Sequence, residues 1–316
     1  MQLVPPDSAA IRAAYARILP HIRVTPVLNM ARGALGGDFV PNFKLELTQF
    51  AGSFKSRGAF NSILSNEIGP AGVAAASGGN HGAAVANAAR CLGVKARIFV
   101  PEISSPSKIA AIRRFGAEIV IGGARYDDAQ AACDAYVGES GAFKIHPFAA
   151  AATIAGQGTL GLEWAEQAEL DTVLIAVGGG GLISGVASWL QPKGVRVVGI
   201  EPEGSRALQA ALEAGGPVDV PVNSIAADSL GAKNVGPLVH SIASRHVDRV
   251  VLVPDEAIRA AMAALWQDFR LLSEPGGATA LAAVLSGAYT PAPGERVGIL
   301  LCGGNVDFTK AAELIG

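Results

Sequence analysis

An α/β fold of two lobes, with parallel twisted sheets flanked by helices, is the architecture this sequence predicts. Two observations carry the prediction. Short apolar runs rich in β-branched residues alternate with longer helical patterns along most of the chain, and such alternation builds parallel sheets. Half of the 316 residues are hydrophobic and 16% are charged, which is material for more than one core at roughly 150 residues per domain.

Strands are expected at residues 43–47, 73–76, 96–100, 118–121, 172–177, 195–200, 249–253 and 297–301. The pattern predicts helices over residues 8–19, 107–115 and 255–272. Gly116 stands where a helix-ending glycine belongs, and Pro254-Asp255 opens the third helix. Residues 172–191 carry no charge, but four glycines interrupt them, so a buried strand, a glycine loop and a buried helix are expected in place of a membrane span. The N-terminus is broken by Asp7, Arg12 and Arg17, which suits a capped amphipathic helix and not a signal peptide. Domain boundaries are faintly marked. Pro147 and the alanine run at 149–152 suggest a crossing, giving a large domain of 1–48 plus 149–316 and a small one of 49–148.

A net charge of −2 and the absence of basic clusters longer than pairs such as Arg113-Arg114 argue against nucleic acid and anionic membranes. Cys91, Cys133 and Cys302 are widely spaced and odd in number, neither a disulfide framework nor a zinc site, and they suit a reducing cytoplasm.

Ligands in open α/β folds bind where loops leave the carboxyl ends of strands, and the candidate loops follow from that. Lys55 stands at a loop-to-helix transition after Phe54. An isolated lysine there is usually solvent-exposed, but a desolvated one has a lowered pKa and attacks aldehydes. Residues 77–82, Ser-Gly-Gly-Asn-His-Gly, follow a strand. They offer backbone N–H groups to a carboxylate, with Asn80 as a side-chain donor. Gly178, Gly179, Gly180 and Gly181, followed by Leu182, again lie between strand and helix, where bare N–H groups cradle a phosphate. Tight packing is expected to explain one or two of these glycines and not all four. The run is neither a dinucleotide fingerprint, nor a P-loop, nor a serine-hydrolase elbow. Cys302 heads a Cys-Gly-Gly-Asn loop after the last strand, where a thiol is either a small hydrophobe or a weakly polar ligand contact.

Together these four segments resemble the fold-type II pyridoxal-phosphate enzymes (tryptophan synthase β-like), and within them the serine/threonine dehydratase or threonine ammonia-lyase group. The resemblance runs over essentially the whole chain. It includes Asn223-Ser-Ile-Ala-Ala-Asp-Ser-Leu-Gly231 and Glu274-Pro-Gly-Gly-Ala278. It implies that Lys55 carries the cofactor as a Schiff base and moves the Cα proton. Asn80 would bond the cofactor's O3′, and Gly178 to Gly181 with Leu182 would hold its phosphate. Cys302 would face N1 without charge, and Phe54 would pack near the ring. Ser77, Gly78, Gly79, Asn80 and His81 would hold the substrate carboxylate. A cation is expected at Glu201 with the backbone carbonyls of Ser205 and Ala207. Racemases of the family place an aspartate where Ala207 stands, so potassium suits the site better than a divalent ion.

The implied reaction is dehydration and deamination of serine, threonine or a related 3-hydroxy amino acid to a 2-oxo acid and ammonia. A serine racemase is the alternative. Racemases of this kind carry a second serine where Gly78 stands, and without that side chain elimination is expected to exceed racemisation. An NAD-dependent oxidoreductase would suit the fold but lacks the fingerprint. The chain runs only a few residues past the Cys302 loop, so no C-terminal regulatory domain is expected. The expected partner is a small amino-acid substrate, with no nucleic acid and no membrane, bound by a homodimer in the cytoplasm.

Overall fold

Ten strands in two sheets make up the β-structure of the computed structural model, which describes residues 4–315. They are β1 (Val27–Asn29), β2 (Val40–Lys44), β3 (Val73–Ala76), β4 (Ala96–Val100), β5 (Glu118–Ile121), β6 (Phe143–Lys144), β7 (Thr172–Ala176), β8 (Arg196–Pro202), β9 (Arg249–Val253) and β10 (Arg296–Leu300). The larger sheet has the order β1-β2-β10-β7-β8-β9 and the smaller β5-β4-β3-β6. Every pairing is parallel except that of β1 with β2.

All eight expected strands are present. The first lies three residues earlier than expected, at Val40–Lys44. The short edge strands β1 and β6 were not expected. The helices begin near their predicted starts, at Ser8–Ile18, Pro106–Arg113 and Asp255–Phe269. Asp7 caps the first by accepting the N–H of Ala10 at 2.8 Å. The uncharged stretch resolves into β7, a glycine loop and the buried helix Gly181–Leu190. No described helix is long and apolar enough to cross a membrane.

Each sheet has its own core. Leu174, Ile175, Val198 and Ile200 pack in the larger, and Ile98, Val100, Val85 and Phe60 in the smaller. The first helix straddles them, with Ile11 in one core and Ile18 in the other.

Helix Ala151–Gln167 holds the two parts together, and glycines let its neighbours approach closely. A Cβ on Gly156 would lie 2.7 Å from Gly58 Cα, in helix Lys55–Leu64. A Cβ on Gly185 would lie 2.5 Å from the Gly158 nitrogen, which brings helix Gly181–Leu190 against the opposite side.

Four buried charges fix the same helix. Lys44 Nζ donates to Glu163 (2.6 Å), to Gln167 (2.6 Å) and to the Thr25 carbonyl (2.8 Å). Arg57 donates to both oxygens of Glu46 (2.6 and 3.0 Å) and to Glu163 (2.9 Å). Burial opposes charge on Arg57, but Glu46 and Glu163 outweigh it and raise its pKa. Removing one member of such a cluster strands the others, at a cost of roughly 3–5 kcal/mol. Arg57→Leu should therefore lower the urea midpoint sharply. Arg32→Ala, which breaks only the exposed pair with Asp38, should leave it unchanged. Equal midpoints for the two variants would refute the structural weight given to the cluster.

Candidate active site

Two segments far apart in sequence are stitched together at the carboxyl end of β10. The Phe54 N–H donates to the Cys302 carbonyl at 3.1 Å, and the Gly304 N–H donates to the Gly52 carbonyl at 3.0 Å. Ser53 and Gly303 form an isolated antiparallel bridge. Ala51 and Gly52 turn the chain with φ of 56° and 73°, and Lys55 then opens helix Lys55–Leu64.

The Lys55 amine donates to the Pro147 carbonyl at 2.8 Å and lies 5.1 Å from the centre of the Phe54 ring. Burial lowers its pKa to about 8, although the carboxyl of Glu274 acts the other way. The start of a helix also disfavours a cation. The result is an amine that is partly neutral near physiological pH. Cys302 donates its S–H to the Gly276 carbonyl at 3.5 Å, and burial raises its pKa, so the thiol stays protonated and uncharged.

The glycine loop after β7 is more tightly packed than expected. A Cβ would meet the Leu230 backbone at 2.8 Å from Gly178, the Phe148 ring at 2.3 Å from Gly179, Val239 at 2.4 Å from Gly180 and the Phe148 carbonyl at 2.5 Å from Gly181. Packing thus accounts for all four glycines. Their N–H groups tell more. Those of residues 178–182 donate to no described protein group, and they precede and open helix Gly181–Leu190, so the loop retains the donors an anion needs.

At the end of β3, the Asn80 amide donates to Glu274 at 2.5 Å and accepts from Asn305 at 2.8 Å. Burial raises the Glu274 carboxyl to about 7. The buried His81 ring lies 2.9 Å from the Ile145 carbonyl, and burial lowers its pKa to about 3, so the neutral ring donates there. The part of His81 left to face a ligand is its backbone N–H. Ser77 Oγ accepts the Gly79 N–H at 3.1 Å. The place beside Gly78 is not empty, because a Cβ there would lie 1.8 Å from Ser104 Oγ.

Glu201 lies elsewhere, buried at the end of β8. Its two oxygens accept the N–H groups of Leu208 (2.8 Å) and Gln209 (2.9 Å), in the first turn of helix Ala207–Ala214. Burial pushes its carboxyl up to about 7. Ser205 Oγ donates to the Leu230 carbonyl at 2.6 Å, and Ala207 is buried. Among the described residues no three His, Cys, Asp or Glu side chains gather as a metal site.

A cleft of about 960 Å³ opens between residues 105–114 of the smaller-sheet part and residues from 225–229, 274–275 and 305–313, with Lys108, Asp228, Glu274, Asn305 and Phe308 among its lining. The Lys108–Asp228 ion pair (2.8 Å) links its two sides, and Lys233–Asp127 (2.9 Å) forms outside its lining. The structure therefore brings Phe54, Lys55, Asn80 and Cys302 together through shared partners, while Glu201 stands apart with its own set. Sequence reasoning misses Pro147 and Phe148 beside the lysine and the glycine loop, and Ser104 beside Gly78. Pro147 reads there only as a crossing point, and a lone serine in a loop carries no sequence signal. Glu274 stands out as a landmark of the resemblance but without a role.

These residues fit a phosphate-bearing aldehyde cofactor. The loop supplies unpaired N–H donors, Lys55 supplies a nucleophilic amine, and Ser53 Oγ is buried without a partner two residues before it. Comparison with known proteins agrees. Phenylserine dehydratase of Ralstonia pickettii is 40% identical over 98% of this chain and 97% of that protein. Maize serine racemase superposes with a TM-score of 0.92 at 36% identity, covering 98% of this chain and 97% of that one. A threonine deaminase from T.th. superposes with a TM-score of 0.89 at 37% identity, covering 96% and 99%. Residues 18–303 match the family described as pyridoxal-phosphate dependent enzyme, and the chain belongs to that family.

Proposed function

We propose that this protein removes water from L-serine, L-threonine or a related 3-hydroxy amino acid and releases a 2-oxo acid and ammonia. The observation that carries the reading is the Lys55 amine, lowered to about 8 in a site that also presents a row of unpaired N–H donors. The dehydratase and deaminase names of similar proteins support it.

When bound, pyridoxal phosphate supplies the electron sink for charge developing at Cα. The rest falls to the chain. The N–H groups of Gly178 to Leu182 would hold the phosphate dianion. The free N–H groups at the start of helix Asn80–Cys91 would hold the substrate carboxylate, with Asn80 steadied by Glu274 and Asn305. The Lys55 amine would take the Cα proton as general base. Cys302, neutral and buried, would face the ring nitrogen without contributing charge. Division into a large domain of 1–48 plus 149–316 and a small one of 49–148, and a homodimeric assembly, belong to the same proposal.

Racemisation is a second reading, favoured by the similarity to serine racemase. One assay separates the two. The purified protein is incubated with L-serine, L-threonine and phenylserine, and 2-oxo acid and D-isomer are followed together. The 2-oxo acid should dominate, and Lys55→Ala should produce none. D-serine formed as fast as pyruvate would replace dehydration by racemisation, and an active Lys55→Ala variant would remove both.

The amine's pKa has a sign that can be checked. Only neutral Lys55 captures an aldehyde, so cofactor uptake by the apoprotein should rise with pH and level off above about 8. An unburied lysine would keep gaining rate up to roughly 10.4. A rate still climbing at the higher pH would contradict the burial argument.

We also propose a monovalent cation at Glu201, completed by backbone carbonyls of Ser205 and Ala207. Its support is a buried carboxylate whose hydrogen bonds come only from backbone N–H groups. Replacing potassium by tetramethylammonium should depress activity and thermal stability. Indifference to the exchange would leave Glu201 as a helix cap alone.

A further inference from the structure

Gly78 is not required by its own backbone, since its φ lies outside the left-handed region that favours glycine. What excludes a side chain is Ser104. A Cβ at 78 would lie 1.8 Å from Ser104 Oγ and 2.7 Å from Ser104 Cβ. The two residues come from loops that leave the carboxyl ends of adjacent parallel strands, β3 and β4, in register from Val73 opposite Ala96 to Ala76 opposite Phe99. This is the edge of a parallel sheet at which ligands bind.

The loop that carries this hydroxyl is held in place by its backbone. The Ser104 N–H donates to the Pro101 carbonyl at 3.0 Å, closing a turn. The Glu102 N–H donates to the Gly123 carbonyl at 2.9 Å, which ties that turn to the neighbouring loop after β5. Ser104 is half-buried, and no described residue hydrogen-bonds its Oγ. An unpaired hydroxyl thus stands against the Gly78 backbone, beside the N–H groups of the loop that starts helix Asn80–Cys91.

We propose that Ser104 is a substrate-binding residue whose hydroxyl, delivered from the loop after β4, takes the place that a side chain at position 78 would occupy and donates to the carboxylate of the bound amino acid. The proposal rests on the reading of residues 77–81 as the carboxylate site. It explains why glycine stands at 78, because two groups cannot share the space.

The test uses holoenzyme and L-alanine, which has a carboxylate but no β-leaving group, so binding is read from the change in the cofactor's visible absorbance without turnover. Ser104→Ala should weaken L-alanine about tenfold, the usual loss for a hydrogen bond to a charged group, at unchanged cofactor content. Gly78→Ser should weaken it at least as much, because the new side chain meets Ser104. Gly78→Ser combined with Ser104→Gly should bring affinity back to within about threefold of the parent, since one hydroxyl again fills one place. Unchanged affinity in Ser104→Ala overturns the proposal. So does Gly78→Ser binding equally well whether 104 is serine or glycine. A parent protein that never acquires the visible absorbance would instead overturn the functional reading beneath it, so the two failures are distinguishable.

Discussion

The buried cluster of Lys44, Glu46, Arg57 and Glu163 is the constraint on which the site depends. It joins the end of β2, helix Lys55–Leu64 and helix Ala151–Gln167, with every charged side chain essentially inaccessible to solvent. Two positive and two negative groups balance, so the desolvation cost is met by pairing inside the cluster. One Glu163 oxygen accepts all of that side chain's described hydrogen bonds, while the other is buried without a partner. Arg57 lies two residues from Lys55. Whatever fixes its guanidinium also fixes the first turn of the helix that presents the amine. The close approach at Gly58 and Gly156 removes any remaining freedom between the two helices. A lysine held this way offers its amine at one place, where the Pro147 carbonyl receives it.

The alternation of strand and helix was legible because most strands are long enough for a buried apolar run to stand out. Those that escaped lack that signal. β6 has two residues and β1 three, with mostly exposed side chains in β1. The shift at β2 has a cause in Pro41. A proline lacks the N–H that a ladder uses and argues against a strand, yet here it sits between Val40 and Asn42 in a strand paired on both sides. Tertiary pairing with β10 overrode the local preference.

The site was legible in its backbone segments and illegible in its cross-connections. The Ser-Phe-Lys and Cys-Gly-Gly-Asn segments could be read singly, but nothing in either says that Phe54 bonds Cys302 or that Asn305 bonds Asn80. Such contacts join residues more than two hundred positions apart. The glycine run teaches a different lesson. Four glycines in a row look like too many for packing, yet packing against Phe148, Leu230 and Val239 accounts for each of them. The two demands are compatible, because protein atoms fill the side-chain positions while the N–H groups stay unpaired. Glycine content alone therefore does not distinguish a cradle from a crowded turn; the unpaired N–H groups leave room for an anion.

Burial acts on the two titratable groups nearest the centre in opposite directions. It pulls the Lys55 amine down to about 8 and pushes the Glu274 carboxyl up to about 7. Both shifts favour the neutral form, and the Cys302 thiol is held neutral as well. Under the proposed function the same site would hold a phosphate dianion and a carboxylate. The topology offers backbone dipoles for both: helices Asn80–Cys91 and Gly181–Leu190 begin directly after glycine-containing loops. Helix N-termini carry partial positive charge that needs no counterion and does not titrate. Anion binding would thereby be separated from proton transfer, and Lys55 could change protonation state without loosening the groups proposed to hold the ligand. The amine stands at the start of a third helix, Lys55–Leu64. The same dipole that would attract an anion there makes a charged lysine less stable, and so adds to the effect of burial.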